Sequence, residues 1–282
     1  MITFPNIGYL GRLGNQMFQF ASTVGIAKKL GYEARFPIEN CRSYKPIGPY
    51  SSKSGANENV KCDLLEVFEI PNEYFVESKD LIVDYIYNES KFGFNQDVMS
   101  LPENCGLFGY FQTEKYFLES RELICSVFSF KDRYKTIALK ANEKIRNSNK
   151  SSKIASIHVR RGDYLMFPDH HPTCSLEYYD KAIKILSDKE ETKFLVFSDD
   201  VDWCKTNFKD ERFIIIDLKD SYSEMCLMSL CDHNIIANSS FSWWGSWLNQ
   251  NTDKVTIAPS KWFGRSMNKD TSDVYPDGCI IL

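Results

Sequence analysis

Short, unbroken apolar runs recur through the second half of this chain, at 154–159, 194–197, 213–216, 234–237 and 255–258. Runs of this length, rich in Ile, Val and Phe, suit strands buried on both faces. Between them the period changes to that of a helix. Leu176, Tyr179, Ile183 and Leu186 share one face, residues 223–231 bring Met225, Leu227, Met228 and Leu230, and 240–249 form an aromatic helix. Strands that alternate with helices in this way predict a parallel, Rossmann-like α/β sheet.

The first half is less regular. Residues 2–10 predict a short strand, which leads into Gly11-Arg12-Leu13-Gly14-Asn15-Gln16. Met17, Phe20, Ala21, Val24 and Ala27 then mark an amphipathic helix that Gly31 stops after Lys28-Lys29-Leu30. Residues 42–61 are rich in Ser, Gly, Pro, Asn and Lys and read as a loop, with a role in choosing an acceptor or in motion. Strands are expected at 82–87 and at 106–111, the latter running into 112–117, and a helix with polar breaks over 119–147. The polar stretch 147–153 reads as a linker, which sets two domains at 1–150 and 151–282.

The 282 residues suffice for two medium domains, and 43% hydrophobic with 26% charged residues is ordinary for a globular protein. A net charge of -4 argues against a nucleic-acid partner, so any anionic ligand needs a local basic patch. Nine Cys, an odd number without a C-x-x-C pair, make a poor disulfide or zinc pattern and fit reduced thiols. No basic, apolar leader and no apolar run of the ~20 residues a span needs is visible, so a soluble, cytoplasmic protein is expected.

Three strand ends carry the candidate chemistry. The run at 154–159 leads through His158 into Arg160-Arg161-Gly162-Asp163. Adjacent guanidiniums repel each other, and phosphate is the partner a planar, permanently charged fork suits best; pairing with surface acids is the alternative. The run at 194–197 ends in Ser198-Asp199-Asp200. These carboxylates would repel phosphate, which places them near a base or ribose, or at the cap of the next helix. The run at 234–237 ends in Asn238-Ser239-Ser240, whose hydroxyls and amides open a helix that can hold phosphate or be simply capped. Strand ends are where open α/β sheets bind ligands. Asn15 and Gln16, after a glycine loop, read either as helix cap and packing or as contacts to a sugar or phosphate. Trp243 and Trp247, one turn apart, read as packing behind the site.

Together these stretches resemble the bacterial α-1,2-fucosyltransferases of glycosyltransferase family 11. The resemblance rests on Gly11-x-x-Gly14-Asn15-Gln16-Met17-Phe18-Gln19-x-Ala21, on His158-Val159-Arg160-Arg161-Gly162-Asp163-Tyr164 and on Asn238-Ser239-Ser240-Phe241-Ser242-Trp243-Trp244-Gly245. Supporting stretches are 109–117, 175–179 and 197–200, so nearly the whole chain is covered. Arg12 stands where many relatives carry Gly. The resemblance implies a GT-B-like α/β fold, two Rossmann-like domains facing a cleft, with an acceptor-side N-terminal domain and a C-terminal domain that binds GDP-fucose. It implies inverting transfer of L-fucose from GDP-β-L-fucose to a hydroxyl, galactose O2, of an oligosaccharide or glycan precursor such as an O-antigen. No cofactor or metal is implied, and peripheral association with the inner membrane is compatible with it. Carried over by position, Arg160, Asn15 and Asp163 become the catalytic candidates, Arg160 on the β-phosphate and Asp163 as proton acceptor or as an orienter of the arginines. Gly14, Gln16, His158, Arg161, Asp199, Asp200, Asn238, Ser239, Ser240 and Phe241 become donor-binding candidates.

Overall fold

The computed structural model describes residues 1–42 and 61–282, so all but the ends of the loop read over 42–61 lies outside the described residues. The chain forms two compact units. One is Met1–Lys131 with Lys269–Val274, and the other is Asp132–Asn268 with Tyr275–Leu282.

The N-terminal unit runs β1 (Ile2–Thr3), α1 (Leu13–Leu30), β2 (Ala34–Pro37), α2 (Ile38–Arg42), α3 (Leu64–Val67), β3 (Phe75–Val76), β4 (Tyr85–Asn88), β5 (Cys105–Phe108) and α4 (Arg121–Val127). Its five strands lie in the order β3-β2-β1-β5-β4, every pair parallel. Only two residues of the strand expected at 2–10 enter the ladder. Beyond them Ile7 N donates to Phe4 O and Tyr9 N to Asn6 O at 3.0 Å each, which winds the chain into turns. The strand expected at 106–111 stops at Phe108 because the chain bends at Gly109 and Phe111, both with positive φ. Helix α1 is buried from Leu13 to Ala27 at every position except Asn15. A helix enclosed on all sides must satisfy its polar side chains internally. Gln19 Nε2 accordingly donates to Leu10 O (3.0 Å), and Ser22 Oγ to Phe111 O (3.2 Å).

The C-terminal unit runs α5 (Asp132–Ser148), β6 (Lys153–Val159), α6 (Leu176–Ser187), β7 (Thr192–Ser198), α7 (Val201–Asn207), β8 (Phe213–Ile215), α8 (Ser221–Ser229), β9 (His233–Ile235), α9 (Ser240–Trp247), β10 (Thr256–Ala258) and β11 (Ile280–Ile281). The strands lie parallel in the order β11-β10-β9-β6-β7-β8. Counted from β6 this is the doubly wound order 3-2-1-4-5-6, whose switch point falls between β6 and β9. Ile157, Val196 and Ile235 pack from the sheet against Tyr179, Ala182 and Ile183 of α6. Trp243, Trp244 and Trp247 of α9 are buried, as their spacing predicts.

The helix expected over 119–147 is two helices, and the division between units falls in the break. After α4, Phe128 and Phe130 pack on Phe68 with ring centroids 4.9 and 5.0 Å away, and residue 130 bridges residue 68. Helix α5 then belongs to the C-terminal unit. It buries Tyr134 and Ala138, lays the Tyr134 ring 5.2 Å from Tyr222 of α8, and anchors Arg146 on Asp232 (3.1 Å) and Leu230 O (2.9 Å). The polar stretch at 147–153 is a turn inside that unit rather than a boundary between 150 and 151.

Candidate active site

At the switch point of the C-terminal sheet, β6 ends in the two arginines and β9 leads to Asn238-Ser239-Ser240. The guanidinium of Arg160 donates from Nη2 to Asp163 Oδ1 (2.5 Å) and from Nη1 to Asp199 Oδ2 (2.7 Å), and lies 5.3 Å over the Tyr164 ring. The backbone N–H of Arg161 donates to Asp199 Oδ1 (2.9 Å), and its Nε to Asp200 Oδ2 (3.0 Å), while its guanidinium stacks 4.2 Å from the Trp203 ring. Asp199 thus holds both arginines, one through the side chain and one through the main chain. Gly162 leaves room for this carboxylate, because a Cβ there would stand 2.6 Å from Asp199 Oδ2 and displace it. Three carboxylates face two guanidiniums, a formal sum of -3 + 2 = -1, so part of this pairing must give way before an anion can bind.

The second wall is the start of α9. Ser239 caps it, accepting from Phe241 N at 3.3 Å, and the positive end of the helix dipole points out there. Asn238 is buried, and its amide donates to Pro172 O (2.9 Å) and Trp262 O (3.1 Å). Tyr164 Oη donates to Asn238 O at 3.0 Å, tying the two walls together. His158 is buried under them with its ring 5.5 Å from that of Phe241, and its Nδ1 has no partner. Burial, with the Arg160 charge next, pulls its pKa down to about 3, so the imidazole stays neutral.

The N-terminal unit has its own switch point, between β1 and β5. Asn15 lies there, its Oδ1 accepting from Gln112 Nε2 at 2.6 Å. Gly11 takes φ +74°, and a Cβ on it would stand 2.0 Å from Asn15 Nδ2. Arg12, not Asn15, occupies the cap position of α1, so the capping alternative for Asn15 is corrected. Gly14 is buried in the first turn. On the neighbouring loop Glu89 accepts from Tyr110 N (2.7 Å) and Phe111 N (3.0 Å), and burial pushes its pKa up.

Residues 3–280 match the family described as Glycosyl transferase family 11. The chain belongs to that family. It is 31% identical to the O-antigen biosynthesis glycosyltransferase WbnK of Escherichia coli, over 93% of this chain and 96% of that protein. It is 30% identical to an Alpha-1,2-colitosyltransferase of Escherichia coli, over 90% and 91%. Among solved structures, POFUT1 in complex with GDP superposes with a TM-score of 0.52 at 11% identity, over 91% of this chain and 97% of that one. The fold of this family 11 glycosyltransferase is accordingly of GT-B type, built on two parallel α/β units.

Within the family 11 chain, the sequence motifs divide into residues gathered at the C-terminal switch point and residues buried beneath it or in the N-terminal unit. Arg160, Arg161, Asp163, Asp199, Asp200, Ser239, Ser240 and Phe241 gather at the C-terminal switch point. Asp200 caps α7 by accepting from Trp203 N at 3.1 Å, so the capping reading fits it, and its other oxygen pairs with Arg161. Three donor-binding candidates turn inward. Gln16 is fully buried, donates to Gly11 O and Lys61 O and accepts from Asp63 N, so no polar atom is left for a ligand. Asn238 is spent on carbonyls in the same way, and His158 lies beneath the rim. Tyr164, Trp203 and Gln112 were not singled out, although Tyr164 closes the arginine motif and Gln112 lies in a supporting stretch; Trp203 has no signal in the sequence. Among the described residues, no group of three His, Cys, Asp or Glu could hold a metal, and no helix is long and apolar enough to cross a membrane.

Proposed function

We propose that this family 11 glycosyltransferase moves L-fucose from GDP-β-L-fucose to O2 of a galactose in an oligosaccharide or glycan precursor, with inversion and without a metal. The observation that carries the reading is the pair of positioned guanidiniums beside the start of α9, at the switch point of a doubly wound sheet. A nucleoside diphosphate is the leaving group such a site fits, and a structural neighbour was solved with GDP. As the sugar–phosphate bond breaks, negative charge grows on the β-phosphate. Arg160 exchanges a carboxylate for phosphate oxygens at that moment, and the amides at Ser239-Ser240 add their dipoles. Asp163, bonded to Arg160, acts as a positioning residue that keeps the fork aimed. Within the N-terminal unit, Asn15, the one unburied residue in the first turns of α1, is oriented by Gln112 and is that unit's candidate for contacting a ligand.

A second donor is favoured by one relative, the colitosyltransferase. Colitose is L-fucose without its 3-hydroxyl, so the same phosphate site serves both. Calorimetry with GDP, UDP and ADP tests the nucleotide, and tight binding of UDP but not GDP would remove the donor. Turnover with GDP-fucose and GDP-colitose over a panel of galactosides, followed by linkage analysis, then separates the two sugars. Activity in EDTA should persist; its loss and return with Mg²⁺ would refute metal independence.

A further inference from the structure

All nine cysteines are thiols, and two of them touch: Cys62 Sγ lies 3.5 Å from Cys41 Sγ. Both are buried, at 6% and 4% exposure, and they flank residues 43–60. Cys62 is held on both sides by one side chain, since Gln16 donates to Lys61 O (2.8 Å) and accepts from Asp63 N (2.8 Å). It also packs where Gly8 (φ +86°) has no side chain, a Cβ there standing 2.6 Å from Cys62 Cβ. Cys41 lies in the last turn of α2, whose Asn40 donates to Pro5 O at 2.8 Å. The contact is therefore fixed by the surrounding fold.

We propose that Cys41 and Cys62 are a redox pair that forms a disulfide under oxidising conditions and closes residues 41–62 into a covalent ring. The sulfurs need to approach by only about 1.5 Å to reach bonding distance. They line a cavity of about 540 Å³ with Arg42, Lys61, Lys131, Glu66 and Glu69, and the oxidant is a small disulfide such as oxidised glutathione. The thiolate of one cysteine attacks a glutathione disulfide sulfur and expels one glutathione. The second cysteine attacks the mixed disulfide and expels the other, and the two cysteine protons end on the two glutathione thiols. The hydrogen bond with Cys62, and then burial, push the Cys41 thiol up, which disfavours Cys41 as the first attacker.

The test equilibrates the full chain in reduced and oxidised glutathione at graded ratios, with circular dichroism to confirm that it stays folded. Thiols are trapped with N-ethylmaleimide and mapped by mass spectrometry. The expected product joins the Cys41 and Cys62 peptides with the loss of two hydrogens, at ratios that leave Cys204 and Cys226 alkylated. Gln16→Ala, which frees both neighbours of Cys62, should require about tenfold more oxidising ratios. Cys41 and Cys62 alkylated or singly glutathionylated at every ratio would overturn the proposal, as would an unchanged midpoint in Gln16→Ala.

Discussion

Arg160 holds two carboxylates at once, and its chemistry depends on the fork being kept planar and aimed. Arg160→Lys retains the charge but not the fork, and kcat should fall on the order of 10²–10³, the loss typical of a removed transition-state donor. Near-normal turnover would show that Arg160 does not clamp the leaving group. Asp163→Asn separates brace from base. A brace lowers kcat while the acidic limb of its pH profile stays in place, whereas loss of that limb would make Asp163 the proton acceptor. His158 gives a stability signature. Its folded pKa, about 3, lies below the ordinary 6.5, so the unfolded chain binds the extra proton between those values. Its contribution is complete above about pH 6.5 and is lost as pH falls toward 3, on the order of 3–5 kcal/mol in all. Urea midpoints at pH 7, 5.5 and 4.5 should fall accordingly, and His158→Leu should flatten the trend. At this scale the sequence exposed residue types but not pairings. Arg160 follows the end of β6 and Asp199 the end of β7, and only β6 lying beside β7 brings them within 2.7 Å.

Among the elements, the strands of the C-terminal sheet were legible because they are buried on both faces and read as unbroken apolar runs. In the N-terminal sheet β4 and β5 were legible as the runs at 82–87 and 106–111, whereas β1 and β3 contribute two residues each and carry no period. The junction of α4 and α5 was hidden for a related reason. Phe128 and Phe130 continue an apolar pattern that also suits a helix, and only Phe68, some 60 residues earlier in the chain, pulls them out of it. The loop into α1 offers a controlled comparison. Gly11 and Gly31 have nearly the same φ, +74° and +75°, but a Cβ at Gly31 meets nothing within 4 Å. Gly31→Ala should therefore cost only backbone strain, about 1 kcal/mol, and Gly11→Ala about 2–3 kcal/mol because it also displaces Asn15. Equal losses in denaturant unfolding would mean that contact with Asn15 is not what keeps Gly11.

For the whole molecule, two parallel α/β units were legible from the alternation of strands and helices, while their membership was not. Residues 269–274 belong to the N-terminal unit although they follow nearly all of the C-terminal one. Asp273 accepts from Phe94 N at 2.9 Å and pairs with Lys115. No periodicity marks a contact of this kind, which joins polar groups some 180 residues apart. Asp273→Ala should weaken hydrogen-exchange protection at residues 93–95 and leave β6 and β7 unchanged; equal weakening in both units would refute the assignment. The same segment bears on biosynthesis. A ribosome delivers residues in order, and α5 through β10 have all emerged before Asp273 exists. The unit translated first is thus completed only after nearly all of the other has emerged, and the amide of Phe94 waits for its carboxylate until synthesis is almost over.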